Sequence, residues 1–213
     1  MLPVLVFAIV AAVLLYWFPI RRAFLRWGAT RAELARPMPG DAIVPTPTYL
    51  TTLAITIDAR PEHIWPWLVQ IGHRRGGLYS YDWLDRLFGY TDGPSADRIL
   101  PAFQQLRPGE MIPMGRGAGF RVAGVTPNES LVMGDNNGGF GWSWAFGLYP
   151  IDGGRTRLVS RNRARVPSGF AWTMFMRVLE PAAFLMTRRM LIGLKTRAES
   201  LAASSRIEQR TAA

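Results

Sequence analysis

The sequence predicts an α+β domain in which a curved antiparallel sheet closes on one long C-terminal helix. Three observations carry that prediction. A short alternating strand and a proline-opened helix lie within Leu53–Gly89, several strands separated by turn signals follow, and a long helical segment from Phe170 to Ser200 comes last. Strands joined by tight turns pair antiparallel, and a closing helix needs a sheet face on which to bury its apolar side. Such an order leaves room for a cavity between sheet and helix.

Composition narrows the chemistry. The 213 residues allow one ordinary domain with accessories. The absence of Cys excludes disulfides, thiolate metal sites and thiol nucleophiles. Two histidines, His63 and His73, argue against a zinc centre, and neither metal nor cofactor is expected. The net charge is +10, and Lys195 is the one basic residue that is not Arg. That balance favours anionic surfaces, either lipid headgroups or nucleic acid; compositional bias of the source genome is the plain alternative.

From Leu2 to Ile20 there is no charged side chain. About 20 helical residues at roughly 1.5 Å each match the ~30 Å hydrocarbon core of a bilayer. Tyr16 and Trp17 suit the interface, and Arg21, Arg22 and Arg26 follow at once. A basic n-region and a small-residue cleavage site are both missing, so a retained transmembrane helix over 1–22 is expected rather than a signal peptide. The positive flank lies after the span, which puts the rest of the chain in the cytoplasm. Residues 23–50 carry Pro37, Pro39, Pro45 and Pro47 and read as an extended juxtamembrane linker.

The domain proper is expected over 51–200. Leu53, Ile55 and Ile57 alternate with Thr52, Ala54 and Thr56, the period of a half-buried strand. Pro61 suits a first helical turn, and Ile64, Trp67, Leu68 and Ile71 share one face of that helix. Pro66 should kink or tighten it, and Gly72 should end it. Ser80 is placed to cap a second short helix carrying Tyr81, Trp83, Leu84, Leu87 and Phe88, with Gly89 as its stop.

These residues resemble a known family. The runs ITIDA (55–59), PEHIWPWLVQIG (61–72) and RGGLYSYDWLD (75–85) are similar to bacterial members of the START-like, helix-grip superfamily, also called SRPBCC. ADRILPAFQQLRPGE (96–110) and MTRRMLIGLKTRAES (186–200) are similar to the same subgroup. The superfamily includes lipid-transfer domains, polyketide cyclases and dehydrases, and plant pathogenesis-related proteins. The resemblance covers roughly 51–200 and implies a C-terminal helix that roofs a cavity. It implies no single activity, because binders, carriers and enzymes share the scaffold.

The remaining strands follow from turn chemistry. Arg107-Pro-Gly-Glu110 is a turn before a strand near Met111, and Pro127-Asn128 joins strands at Gly119–Val125 and Ser130–Gly134. Asn137-Gly138 and Asp152-Gly153 are hairpin signals. Between them Trp142, Trp144, Phe146 and Leu148 share one face. Beyond them Arg155, Arg157, Arg161, Arg163 and Arg165 share a face opposite Leu158, Ser160, Asn162 and Ala164. Aromatics should point inward and the arginine ladder outward, with Arg157 and Arg163 joining Arg21, Arg22 and Arg26 as a membrane-surface basic set. Charges at Arg177, Glu180, Arg188 and Arg189 make Phe170–Ser200 an amphipathic or buried helix rather than a second span, with a break or kink at Pro181. Residues 201–213 read as a frayed, disordered tail.

Most short motifs reduce to loops. Gly115-Arg-Gly-Ala-Gly119 is followed by a strand, not the helix a phosphate loop needs, and Asp135-Asn-Asn-Gly138 lacks the other ligands of a calcium loop. His73-Arg74-Arg75 reads as a solvated turn. Tyr81 with Asp82 is a weak acid–base candidate, and no catalytic residue is assigned. The cavity residues expected are Trp67, Tyr81 and Trp83 from the two helices, Phe120, Trp142, Trp144 and Phe146 from the strands, Ser160 and Asn162 as polar points, and Phe184 and Leu185 from the closing helix. Two functions fit: membrane-anchored binding or transport of a hydrophobic small molecule or lipid, or a cyclase- or dehydrase-type enzyme on a hydrophobic substrate. Nucleic acid finds no recognised motif and is not expected as a partner.

Overall fold

The computed structural model describes residues 2–15, 20–115, 117, 119–137, 140–165 and 169–211. Six strands, β1 (Tyr49–Ile57), β2 (Met111–Pro113), β3 (Gly119–Thr126), β4 (Ser130–Asn136), β5 (Gly141–Ile151) and β6 (Arg155–Arg165), form one antiparallel sheet in the order β1-β6-β5-β4-β3-β2. A bulge between Val122 and Gly124 bends β3 against β4. Asp152, Gly153 and Gly154 form the β5–β6 turn, one residue longer than a two-residue hairpin; the other hairpin glycine, Gly138, lies outside the described residues.

The six strands and the helix α6 (Phe170–Thr211) make an α+β architecture that fits the helix-grip plan. The inner face of the sheet supplies Leu53, Ile57, Leu131, Met133, Phe146 and Leu158 to the main core. Ile64, Leu68 and Ile71 of the segment around α4 (Pro61–Val69), and Met190, Leu191, Leu194 and Ala198 of α6, pack against them. The α6 residues recur at helical spacing, so one stripe of the helix lies on the sheet. Gly193 permits the close approach: a Cβ there would sit 2.2 Å from the carbonyl oxygen of Tyr79.

Several expectations are corrected. α6 is not divided at Pro181 but runs for 42 residues through it. The residues around Pro181 are tied to α2 (Arg21–Leu25): Arg21 bonds Glu180 through two nitrogens, and Phe24 stacks on Phe184 at 4.4 Å. The expected tail is helical through Thr211, with Ala202 buried against the core. Ser80 does not cap α5 (Asp82–Leu87); its hydroxyl donates to Asp85 instead.

The N-terminal region differs most. α1 (Leu2–Leu15) has 14 residues, about 21 Å at 1.5 Å each. Among the described residues no helix is long and apolar enough to cross a membrane. Tyr16 and Trp17 lie outside the described residues.

The expected extended linker is not extended: after α2, which packs against α6, it folds onto the outer face of the sheet as α3 (Arg31–Ala35) and a 3-10 turn, Asp41–Ile43. Thr30 and Glu33 cap α3 reciprocally. Met38 joins Ala54, Val132, Ala145 and Val159 in a second, smaller core.

The arginine ladder does face outward, but this segment covers its middle. Arg157 bonds both carboxylate oxygens of Glu33, at 2.8 and 2.9 Å, together with Gly28 O and Thr56 Oγ1. Arg163 donates to the carbonyls of Val44 and Pro45 and pairs with Asp41 at 3.3 Å. Both guanidinium groups are therefore engaged within the fold rather than presented to a lipid surface. Gly28 lets the segment meet the edge of β1: a Cβ there would be 2.0 Å from Ala54 O, while Ala54 donates its N–H to Trp27 O. That contact covers part of an otherwise open strand edge.

Candidate ligand cavity

Between the inner face of the sheet and α6 lies a cavity of about 380 Å³. Phe120 on β3, Trp142 and Trp144 on β5 and Asn162 on β6 form the sheet side; Met176, Leu179, Phe184, Met186 and Met190 of α6 form the roof. Phe24 and Leu25 of α2 close one flank, and Ser80, Asp85 and Met114 another. The size falls in the range of small-molecule pockets, and the wall is mostly aromatic, Met and Leu.

The alternation of β5 builds the aromatic wall. Phe120 stacks on Trp142 at 4.0 Å, and Trp144 lies between Trp142 and Phe146 at 6.1 and 5.0 Å. Trp144 donates its indole N–H to Ser160 Oγ at 2.8 Å, which orients the ring. Thus Ser160 acts through Trp144, and Phe146, fully buried, supports the wall from behind.

Other expected lining residues lie elsewhere. Trp67 is in the core, edge-on to Tyr79 at 6.2 Å. Tyr81 is half-buried under the Arg189 guanidinium. Trp83 and Leu185 are exposed, at 62% and 48%. The reason is helical rotation: Trp83 lies two positions from Asp85, and Leu185 one position from Phe184, so each faces away from the residue that reaches the cavity.

The loop before α5 is also more structural than its sequence suggests. His73 is buried, with Nδ1 3.1 Å from Tyr90 O, and Arg75 turns back to donate to Val69 O and Ile71 O at the end of α4. Burial pushes the Tyr79 hydroxyl up to about 12, although Gln70 donates to it and Arg197 lies over its ring. Asp82 accepts from the N–H and the hydroxyl of Ser95, which ties the start of α5 to the loop after it.

The polar residue that sequence reasoning missed is Asp85. Its side chain is fully buried, one oxygen accepts from Ser80 at 3.1 Å, and the other has no hydrogen-bond partner. Burial pushes its carboxyl up to about 6, with the nearby Asp82 charge adding to the rise and the Ser80 bond opposing it. Its signal in the sequence is an acid embedded in the apolar pattern of α5, five residues after a Ser. Asn162 Oδ1 is also buried without a partner. Glu180 lines the cavity as well, held by Arg21 and Arg177 at 2.7 Å each. Among the described residues no group of three or more His, Asp or Glu is placed to hold a metal ion.

No protein-family model and no curated protein matches the chain. Among solved structures, the hypothetical protein jhp0584 from Helicobacter pylori is 12% identical, with 77% of this chain and 96% of that one covered at a TM-score of 0.47. Protein MLL2253 from Mesorhizobium loti is 15% identical over 71% and 98%, at 0.45. CalU16 from Micromonospora echinospora is 16% identical over 72% and 86%, at 0.34. The strand order, the bulge and the single closing helix define the fold here, and the cavity defines the candidate site.

Proposed function

We propose that the chain binds a hydrophobic small molecule or lipid in the cavity between sheet and α6, and that it does so at a membrane. The observation that carries the reading is the aromatic and methionine wall of a cavity of about 380 Å³. Methionine adapts to varied apolar shapes, and Trp142 and Trp144 offer broad faces. Membrane association is supported by the uncharged run Leu2–Ile20 and by the exposed Phe170, Trp172, Phe175 and Val178 at the start of α6. Exposed Arg22 and Arg26 would meet anionic headgroups, and the arginine flank favours a single-pass, C-terminal-in orientation. Native mass spectrometry of the full chain, released from membranes, tests the cavity. A bound apolar molecule lost in Trp142→Ala is expected; a ligand-free chain that fails to take up uncharged fluorescent apolar probes, fatty alcohols included, would reject the reading.

A second reading is a polyketide cyclase- or dehydrase-type enzyme using the same cavity. Asp85 favours it, because a carboxyl poised near 6 within an apolar site suits general acid–base work. Turnover of a poly-β-ketone thioester that is abolished in Asp85→Asn would support this reading over simple binding.

A further inference from the structure

The cavity holds a mismatch between wall and polar points. Most of what lines it is apolar, yet two of its side chains carry a buried oxygen without a hydrogen-bond partner: Asp85 on α5 and Asn162 on β6. Buried polar atoms in folded proteins are satisfied with few exceptions, and those exceptions ask for an explanation. With Asp85 ionised, as above about pH 6, both unpartnered atoms are acceptors, and a donor satisfies them. The Asp85 side chain is fully buried, and its second oxygen is held by Ser80, which fixes the carboxyl in place.

We propose that the cavity selects apolar ligands bearing a hydrogen-bond donor, a hydroxyl or a primary ammonium, which Asp85 or Asn162 receives while the tail lies along Trp142, Trp144 and the methionines of α6. This rests on the cavity reading above and adds the ligand's polar chemistry to it. An ester, ether or ionised carboxylate end offers only lone pairs to these oxygens and binds less tightly.

The test uses the full chain held in solution by an amphipathic polymer, with quenching of tryptophan fluorescence as the readout. The probes are decan-1-ol, decylamine and decyl methyl ether, which share a tail and differ in donor. The alcohol and the amine are expected to bind at least about tenfold more tightly than the ether, a difference one buried hydrogen bond readily supplies. Asp85→Leu and Asn162→Leu should each shrink that preference while ether binding persists. Asp85→Asn should keep the preference for the alcohol and lose any added preference for the amine, which separates a neutral donor from a cation. Ether and alcohol binding equally to the wild type overturns the inference and leaves the apolar cavity standing. Failure of all three probes overturns both. Should Asp85→Leu not fold, Asn162→Leu and Asp85→Asn decide, and an unchanged alcohol preference in a folded Asn162→Leu counts against the proposal.

Discussion

Arg161 on β6 reaches Asp41 across the outer face of the sheet, donating from Nη1 to Oδ2 at 2.9 Å with its own side chain only 4% exposed. The same guanidinium bonds Thr52 Oγ1 and the carbonyls of Glu33 and Arg36. A planar fork with five N–H groups serves these acceptors; a single ammonium does not. Arg161→Met should therefore cost about 3 kcal/mol or more by leaving acceptors buried and unpaired. Arg161→Lys should recover less than half of it. Urea unfolding followed by tryptophan fluorescence measures both, and a loss under 1 kcal/mol for Arg161→Met would show the contact to be dispensable.

Glu33 connects the same segment to pH. Burial alone would raise its pKa, but the bonds from Arg157 and Thr30 outweigh that effect and hold the carboxyl below its ordinary value of 4.5. A depressed acid contributes stability above that value and loses it as pH falls through the folded pKa. Wild-type stability should thus fall below pH 4.5, and Arg157→Gln should be weaker at neutral pH with a flatter acid limb. An identical acid limb in the two proteins would remove Glu33 from the account.

Asp85 carries the opposite sign. Its folded pKa, about 6, lies above the ordinary 3.8, so the native state holds the proton longer than the unfolded chain. Stability attributable to this group falls as pH rises from 3.8 to about 6 and stays low above it. Asp85→Asn should stabilise the protein at pH 8 by roughly 3 kcal/mol at most, with the gain shrinking toward pH 4. Thermal unfolding across pH reads the difference, and a gain independent of pH would mean that ionisation is not its source.

The cavity reverses the usual order of aromatic truncations. Phe146 is fully buried, and Phe146→Ala should cost about 3–5 kcal/mol, as in a solid core. Trp144 is larger but borders empty space on one side, so Trp144→Ala should cost less than Phe146→Ala while weakening ligand uptake. Paired unfolding curves decide, and the reverse order would indicate that the interior is filled.

Orientation is open to a reporter. A C-terminal phosphatase fusion active only outside the cytoplasm should stay silent, and a cytoplasmic fluorescent fusion should glow. The contrary pattern would reverse the placement drawn from Arg21, Arg22 and Arg26.

The sheet was legible where its signals are local. Trp142, Trp144 and Phe146 alternate within a few residues, and their inward direction follows from the pleat alone. The outward direction of Arg157, Arg161 and Arg163 was equally readable, but what they meet was not. Asp41 lies 120 residues from Arg161 in sequence, and no periodicity marks such a pair. Pro37 and Pro39 suggested an extended spacer because the bonds that fold it come from a distant strand. Asp85 was overlooked for a related reason: its burial is a property of the folded chain that the short α5 pattern does not show, while nearby Tyr81 and Asp82 look more reactive in isolation.

The pairing of β1 with β6 also sets a timetable for synthesis. Contacts along that seam, from Ala59–Thr156 to Thr48–Ala164, span 97 to 116 residues of sequence. Translation at about 5–20 residues per second puts β6 outside the ribosome roughly 5–20 s after β1, whereas local hairpins close in microseconds. Through that interval β1 stands with its main partner unmade, and the arginines that clamp residues 28–45 are not yet present. The first strand of the domain is therefore among the last to be locked, and nascent chains stalled before Arg155 should be the forms that chaperones hold and proteases cut.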